Sequence, residues 1–228
     1  MSGSPTLAEF VIAVDGPGGV GKTTVSRAVA EALGCRHLDT GAFYRAATVL
    51  AMLHHLDLSN EAAVMGVIAG TGIEYDDGRI FVEGIDMSKA IRTSAVTARV
   101  SRLSTLPGVR MLLVRRQREW LAGRGHRAVV EGRDIGTVVF PQAPLKVFLM
   151  ARPEVRAFRR AGQQAIPVSA ARQRLARRDH LDSTRNTSPL VAADDAIVID
   201  TSDIDFRSVV EEILQLAAER GIRPSAPA

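Results

Sequence analysis

Lysine, cysteine and aromatic residues are all scarce in this sequence of 228 residues. The single cysteine, Cys35, excludes an internal disulfide and a zinc site built from cysteines, and we expect it to be a small core residue. Aromatic residues make up only 4% of the chain, which disfavours a surface that stacks single-stranded bases. No apolar run approaches the roughly 20 residues of a membrane-spanning helix, so we expect no membrane partner.

The two ends of the chain show no structural pattern. Met1-Ser2-Gly3-Ser4-Pro5 has neither a basic nor an apolar segment, so it does not resemble a secretory signal. Residues 1–8 and 223–228 are expected to be loose tails. Together with the lone cysteine, these features predict a protein of the reducing cytoplasm, and residues 1–228 are expected to form a single domain with insertions.

The basic residues are almost all arginine. Only three of the 29 lysines and arginines are lysine, and the formal net charge is +4. Residues 152–185 contain nine arginines against three acidic residues, Glu154, Asp179 and Asp182. Such a cluster is suited to nucleic acid, and equally to the phosphates of a small substrate, because guanidinium groups bind phosphate in a bidentate way.

One of the three lysines closes a phosphate-binding motif. The run Gly16-Pro17-Gly18-Gly19-Val20-Gly21-Lys22-Thr23 matches the P-loop pattern G-x-x-x-x-G-K-[ST], and Thr24 follows it. In this pattern the backbone N–H groups surround phosphate oxygens, the lysine reaches the transferred phosphoryl group and the Thr23 hydroxyl holds Mg²⁺. An apolar strand before it, an amphipathic helix after it and Gly34 as a helix C-cap provide the required context.

The remaining chain alternates strands and helices, which predicts a parallel sheet covered by helices on both faces. The predicted strands are Phe10–Asp15, Arg36–Asp39, 128–131, Leu145–Met150 and 196–200. Helical patterns lie near 21–33, 42–55, 107–122, 153–162, 169–182 and 206–219. The fold class is therefore α/β, as a three-layer α/β/α P-loop domain with a five-stranded parallel sheet.

The stretch from about Gly70 to Arg92 interrupts this alternation. Ile73, Tyr75, Ile80 and Val82 alternate around Asp76-Asp77-Gly78, which indicates a hairpin, and a helix is expected near 93–105. We interpret this antiparallel and helical insertion as a flap over a substrate.

Charged residues follow two of the predicted strands, where parallel sheets bind their ligands. Asp39, Thr40 and Arg45 follow the second strand, and Glu131-Gly132-Arg133-Asp134 follows the strand near 128–131. No Asn-Lys-x-Asp motif for guanine occurs, which disfavours a GTPase. Arg110 lies on an arginine-rich helix and by its own pattern is a solvated charge.

Several segments together resemble the bacterial cytidylate kinases, a group of nucleoside monophosphate kinases. They span about residues 10–220 in the family's order, and the run Gly132-Arg133-Asp134-Ile135-Gly136-Thr137-Val138-Val139-Phe140-Pro141 is far more specific than the P-loop. The others are Asp15 to Thr24, Leu38-Asp39-Thr40-Gly41-Ala42-Phe43-Tyr44-Arg45, Ile91-Arg92-Thr93, Val109-Arg110 and Arg178-Asp179 to Arg185.

The resemblance implies transfer of the γ-phosphoryl group of Mg-ATP to CMP or dCMP by a monomeric enzyme without a nucleic-acid partner. It implies a CMP-binding insertion at 60–105 and a short helical lid at 153–185. Residues 16–24 would bind ATP, and Lys22, Arg133, Arg156 and Arg160 would be catalytic. The implied CMP-binding residues are Thr40, Tyr44, Arg45, Ser101, Arg110, Arg133, Asp134, Arg178, Asp182 and Arg185.

Within that set, Arg45 and Arg133 would bind the CMP phosphate. Thr40, Arg110, Asp134 and Arg185 would recognise cytosine, and Ser101, Arg178 and Asp182 would contact the sugar. The sequence departs from the family pattern at Thr40, where serine also occurs, and at Glu131, where aspartate is frequent. It also has a short segment at 161–169 in the lid.

Three alternatives stay open. One is a kinase for another small acceptor, such as UMP, AMP or shikimate. Another is a nucleic-acid-binding NTPase that uses the arginines of 152–185. The third is a P-loop protein that binds ATP only to regulate a partner. Whether Glu131 or Asp39 assists the metal also stays open.

Overall fold

A computed structural model describes residues 9–185 and 187–224, and a parallel sheet of five strands forms its centre. The strands of the described residues are, in chain order, β1 (Phe10–Asp15), β2 (Arg36–Asp39), β3 (Ile73–Asp76), β4 (Arg79–Val82), β5 (Ile85–Asp86), β6 (Arg127–Glu131), β7 (Leu145–Met150) and β8 (Ile197–Asp200). The central sheet has the order β2-β6-β1-β7-β8, and all of its neighbouring strands are parallel. The predicted five-stranded parallel sheet is confirmed.

Strand β1 is apolar along its length until Asp15 because both faces of the sheet are covered. Val11 and Ala13 belong to one core cluster, whereas Ile12 and Val14 belong to the other. This division follows from the alternation of side chains along a strand. Since β1 is the third of the five strands, its carboxyl end, where the P-loop starts, lies in the middle of the sheet.

Helices form the two outer layers, as the α/β/α expectation requires. They are α1 (Lys22–Ala32), α2 (Thr40–Leu53), α3 (Glu61–Ala69), α4 (Ser94–Leu103), α5 (Pro107–Ala122), α6 (Pro153–Gln164), α7 (Val168–Thr184) and α8 (Phe206–Glu219). Val25 of α1 and Ile213 of α8 share one core cluster, and Phe43 of α2 and Leu113 of α5 share the other. Among the described residues, no helix combines the length and the apolar character that crossing a membrane requires.

The predicted hairpin is present as β3 and β4, which pair antiparallel. Asp77 and Gly78 in its turn both have positive φ, 44° and 76°, as a type I′ turn requires. A third strand, β5, extends this small sheet, and a 3₁₀ turn (Ala90–Arg92) leads to α4. Neither β5 nor α3 was among the sequence predictions, although Asn60 caps α3 by accepting a hydrogen bond from the N–H of Ala63 at 3.1 Å.

Both ends of helix α3 form hydrogen bonds with α5. The Glu61 carboxylate accepts hydrogen bonds from the N–H groups of Gly108 and Val109 in the first turn of α5. In return, Arg116 of α5 donates to the carbonyl of Ile68 at 2.7 Å. These contacts satisfy backbone groups that a helix end leaves unpaired, so they fix the helix that carries Arg110.

Helices α6 and α7 form a hairpin in which residues 165–167 connect them, and Ala165 there has a positive φ of 50°. Both helices extend slightly beyond the predicted 153–162 and 169–182. The lid role of residues 153–185 and the flap role of residues 60–105 stay predictions.

Three smaller expectations have different outcomes. Gly34 follows α1 with a φ of 58°, as a C-terminal cap requires. Cys35 is only partly buried beside the core, and burial raises the pKa of its thiol to about 11. Of the tails predicted at 1–8 and 223–228, residues 1–8 and 225–228 lie outside the described residues.

Candidate active site

A cavity of about 340 Å³ lies where the strands of the central sheet end at their carboxyl termini. The P-loop, the start of α2, the end of β6, and helices α4 to α7 all contribute to its wall. The predicted site residues that line it are Gly18, Gly19, Gly21, Lys22, Thr23, Thr24, Thr40, Tyr44, Arg45, Ser101, Arg110, Arg133, Asp134, Arg160, Arg178, Asp182 and Arg185. Four other predicted residues are not in its wall: Gly16, Pro17, Val20 and Arg156.

The glycines of the P-loop have backbone conformations that other residues rarely adopt. Gly16, Gly19 and Gly21 have φ of 143°, 84° and 97°. A Cβ atom at Gly16 would lie 2.1 Å from the carbonyl oxygen of Leu149, so no larger residue fits there. The loop therefore passes close to the neighbouring strand and then enters α1, whose N-terminus favours negative charge.

The ammonium group of Lys22 contacts the backbone of the P-loop. It donates to the carbonyls of Gly16 at 2.7 Å and Pro17 at 2.8 Å, which leaves one of its three N–H groups for another acceptor. Burial lowers the pKa of Lys22 well below its ordinary value, and the charge of Arg133 lowers it further, against the opposing effect of Glu131. An anion placed beside Lys22 would reverse this effect, because it favours the charged amine.

Four arginines line the same cavity as Lys22, namely Arg45, Arg133, Arg160 and Arg178. Burial lowers the pKa of Arg178 to about 9, and Arg133 adds to that effect. Burial also lowers the pKa of Arg45 to about 10, although Asp39 opposes it, and it lowers the pKa of Arg160 as well. So many neighbouring cations form a strongly positive site that suits a phosphate dianion.

Arg45 and Arg133 are held by different partners. Arg45 donates from Nη1 to the carbonyl of Ile91 at 3.1 Å and to the hydroxyl of Thr97 at 3.0 Å. Arg133 donates from Nε to Asp182 at 3.0 Å. Burial raises the pKa of Asp182, but Arg133 and Arg178 lower it more, so the carboxyl is ionised at neutral pH.

Deeper in the cavity, a polar group forms around Asp134. Arg110 donates from Nη2 to one oxygen of this carboxylate, and Nη2 of Arg185 lies 3.7 Å from the other. The Arg110 guanidinium lies 5.4 Å from the centre of the Tyr44 ring. Burial raises the pKa of Tyr44 to about 12, so its hydroxyl is protonated. Among the described residues, the Tyr44 hydroxyl, Nε of Arg110 and Nη2 of Arg185 are buried polar atoms without a hydrogen-bond partner.

The interpretation of Arg110 as a solvated helix charge was therefore wrong, since only 3% of this residue is exposed. Its neighbours on α5 differ, because Arg115 is exposed and pairs with Glu119 one turn later. The burial of Arg110 depends on Asp134 and Arg185, which come from distant parts of the chain.

Thr40 and Thr23 are both oriented by Glu131. The Thr40 hydroxyl donates to the backbone carbonyl of Glu131 at 2.7 Å, and the Thr23 hydroxyl donates to its carboxylate at 3.1 Å. A hydroxyl next to a carboxylate at the end of the P-loop fits Mg²⁺, which binds a few protein oxygens and completes its shell with phosphates and water. No cluster of three or more acidic, histidine or cysteine side chains suited to a metal occurs in 9–185 and 187–224.

Comparison with known proteins agrees with this geometry. The family model described as "Cytidylate kinase" matches residues 12–219. The chain belongs to the cytidylate kinase family. It is 45% identical to the cytidylate kinase of Mycobacterium leprae over 94% of this chain and 98% of that one. It is 44% identical to that of Rhodococcus jostii, over 94% and 97% of the two chains. An uncharacterized protein from Eubacterium ventriosum shares the fold, with a TM-score of 0.52 and 10% identity over 92% and 99% of the chains.

Arg156 of this family member lies behind the P-loop and not in the cavity. It donates to the carbonyl of Ala151 at 3.1 Å, to that of Gly18 at 3.3 Å, and to the carboxylate of Asp179. It therefore ties α6 and α7 to the phosphate-binding loop, whereas Arg160, one turn later on α6, lines the cavity.

Sequence reasoning assigned no role to Asp15, although the structure gives it one. Its carboxylate oxygens each accept a hydrogen bond at 2.8 Å, from the N–H groups of Ile135 and Gly136. These belong to a short π-helical turn (Ile135–Val139) directly after Arg133 and Asp134. Burial raises the pKa of Asp15 to about 6 against the lowering effect of these hydrogen bonds. The available signal was a carboxylate at the end of a wholly apolar strand.

Proposed function

We propose that the protein transfers the γ-phosphoryl group of ATP to CMP or dCMP and releases ADP with CDP or dCDP. The observation that carries this proposal is the composition of one cavity. Its wall combines a donor end from the P-loop segment, Gly18, Gly19, Gly21, Lys22, Thr23 and Thr24, with an acceptor end that consists of Arg45, Arg110, Arg133, Asp134, Arg178, Asp182 and Arg185. Family membership agrees with this assignment.

At the donor end, the backbone of the P-loop and the N-terminus of α1 would hold the phosphates of ATP. Lys22 has one N–H group left to follow the γ-phosphoryl group as its charge shifts towards the leaving ADP. Thr23, with Glu131 beside it, would hold Mg²⁺, which neutralises charge on the phosphates. Arg160 would add a further charge from α6.

At the acceptor end, Arg45 and Arg133 would bind the phosphate of CMP. A phosphate monoester is largely ionised at neutral pH, so it needs no general base and its oxygen can attack directly. The protein's task is to bring two anions together, and buried cations on both sides reduce their repulsion. Arg178 and Asp182 would orient the ribose, with Ser101 nearby in the wall.

Base selection would depend on the polar group around Asp134. The Arg110–Asp134–Arg185 arrangement lies in the wall of the cavity and combines guanidinium donors with a carboxylate acceptor. A base with a different pattern would leave buried groups unsatisfied, at a cost of about 1–3 kcal/mol each. Thr40 would complete this surface.

The placement of the arginines in residues 152–185 favours a small substrate over nucleic acid. Five of the nine face inwards: Arg156 and Arg185 are buried, Arg160 and Arg178 line the cavity, and Arg159 is half-buried against Thr201. The other four, Arg152, Arg172, Arg174 and Arg177, are exposed, and two of these pair with acidic side chains, Arg152 with Asp203 and Arg172 with Glu154. Charges that face inwards are not available to a polynucleotide backbone. We therefore propose no nucleic-acid partner, and we retain the monomer expected from the family resemblance.

The decisive experiment is Mg-ATP consumption with CMP, dCMP, UMP, AMP, GMP or shikimate as acceptor, with every product identified. ADP and CDP should form together, fastest with CMP or dCMP. ATP hydrolysis without a phosphorylated acceptor, or a clear preference for AMP or shikimate, would refute the proposal. Stimulation by RNA instead would favour the nucleic-acid alternative.

A further inference from the structure

A line of hydrogen bonds leads from the P-loop to the small antiparallel sheet. The carboxylate of Glu131 accepts from Thr23 at Oε2, and its Oε1 lies 3.2 Å from Nε2 of His37. Nδ1 of the same imidazole lies 3.3 Å from the hydroxyl of Tyr75. That hydroxyl accepts a hydrogen bond from the N–H of Asp39 at 3.3 Å. We call this set of residues, Thr23, Glu131, His37 and Tyr75, the polar bridge.

The donors and acceptors of the polar bridge have one consistent arrangement. Burial raises the pKa of the Tyr75 hydroxyl, and the charge of Asp39 raises it further, so this hydroxyl keeps its proton. It can therefore donate to Nδ1 of His37, which leaves the Nε2–H group to donate to Glu131. A hydrogen bond to a carboxylate is about twice as strong as one between neutral groups.

Packing holds His37, Glu131 and Tyr75 of the polar bridge in place. Only 8% of the His37 side chain and 4% of the Glu131 side chain are exposed. The Tyr75 ring lies 6.1 Å from Phe43 and 5.9 Å from Trp120, and the Trp120 indole donates to the Tyr75 carbonyl at 2.6 Å. A side chain fixed in this way can transmit a preferred orientation to its partner.

We propose that His37 is a positioning residue that holds the Glu131 carboxylate against the Thr23 hydroxyl, and that Tyr75 orients His37 for this task. This role depends on the proposed function, because it concerns how Mg-ATP meets the P-loop. It connects the small sheet to the donor end of the cavity through His37, which lies on β2. Groups that orient the oxygens around a metal commonly change metal affinity about tenfold when they are removed.

The test compares the binding of a non-hydrolysable ATP analogue with and without Mg²⁺, measured by calorimetry in the absence of CMP. In wild-type protein, Mg²⁺ should strengthen the binding. In His37→Phe the imidazole donor is lost, so this Mg²⁺-dependent gain should fall about tenfold, while Mg-free binding stays unchanged. His37→Gln retains an N–H group that can reach Glu131 and should restore most of the gain. His54→Phe, at an exposed histidine that follows α2, is the control.

A purely structural role predicts a different result. It would lower the thermal midpoint and weaken binding equally with and without Mg²⁺, and that result would overturn the proposal, as would an unchanged gain in folded His37→Phe. If His37→Phe does not fold, Tyr75→Phe decides, because it removes one hydroxyl and leaves the aromatic packing. A loss of about threefold in the Mg²⁺-dependent gain supports the proposal, and no loss refutes it. Since CMP is absent, a failure to phosphorylate CMP would refute the proposed function separately.

Discussion

The proposed donor and acceptor ends of the cavity are built from different parts of the polypeptide. The proposed donor end is a continuous segment, residues 16–24, of which Gly18, Gly19, Gly21, Lys22, Thr23 and Thr24 line the cavity. The acceptor end is assembled from side chains on α2, α5, α7 and the segment after β6. A P-loop binds phosphate mainly through the backbone of one continuous segment. The acceptor end, by contrast, forms only when the tertiary fold brings charged side chains from separate elements together.

This difference predicts that substitutions at the two ends affect different kinetic constants. Loss of a donor-end group should lower kcat, since its contact with the phosphoryl group strengthens in the transition state. Loss of an acceptor-end group should raise KM for CMP and weaken the choice of base.

The largest effect is expected for Lys22→Ala. Removal of a buried cation beside the transferred group should lower kcat by about a hundredfold or more, with KM for CMP little changed. Steady-state kinetics with both substrates measures this, and circular dichroism checks the fold. The control is Lys89→Ala at an exposed lysine. Near-normal turnover in a folded Lys22→Ala protein would remove Lys22 from the chemistry.

Asp15→Asn tests the connection between the two ends, because Asp15 ends β1 at the P-loop and holds the turn after Asp134. Its pKa is raised from 3.8 to about 6, so the folded state retains the proton longer than the unfolded state. Wild-type stability should therefore fall relative to Asp15→Asn as pH rises from about 4 to 6, and stay level above that range. The change is up to about 3 kcal/mol.

Urea unfolding of both proteins at pH 4 and pH 7 measures this difference. A constant difference across that range would mean that Asp15 titrates normally. In addition, KM for CMP should rise in the variant, since Asn offers one acceptor where two N–H groups need partners.

Arg110→Met should mainly affect the acceptor end. It leaves the Asp134 carboxylate without its closest cation, at a cost of about 1–3 kcal/mol, so KM for CMP should rise about tenfold or more. The preference for CMP over UMP should shrink as well. Arg115→Met, on the exposed side of the same helix, is the matched control. Unchanged selectivity in Arg110→Met would exclude Arg110 from base recognition.

The same contrast explains what could be predicted from the sequence. The P-loop and the strands β1 and β7 could be predicted because they depend on local sequence patterns. The predicted five-stranded sheet is confirmed. The burial of Arg110 was not readable from its helix, because Asp134 and Arg185 create it. The polar bridge through His37 and Tyr75 likewise depends on a contact between two separate sheets. The position of Arg156 behind the P-loop arises from Asp179 on the next helix.

The smallest effect is expected at Thr40. Two conservative substitutions there distinguish the contribution of the hydroxyl group to CMP binding from that of the methyl group. The hydroxyl donates to the Glu131 carbonyl at 2.7 Å and lies in the wall of the cavity. Thr40→Ser retains this donor, so KM for CMP should stay within about twofold. Thr40→Val retains the shape but leaves the carbonyl unpaired, so KM should rise about threefold to tenfold. Equal KM values for the two variants would show that the hydroxyl contributes nothing to acceptor binding, and that the acceptor end depends on its charged residues alone.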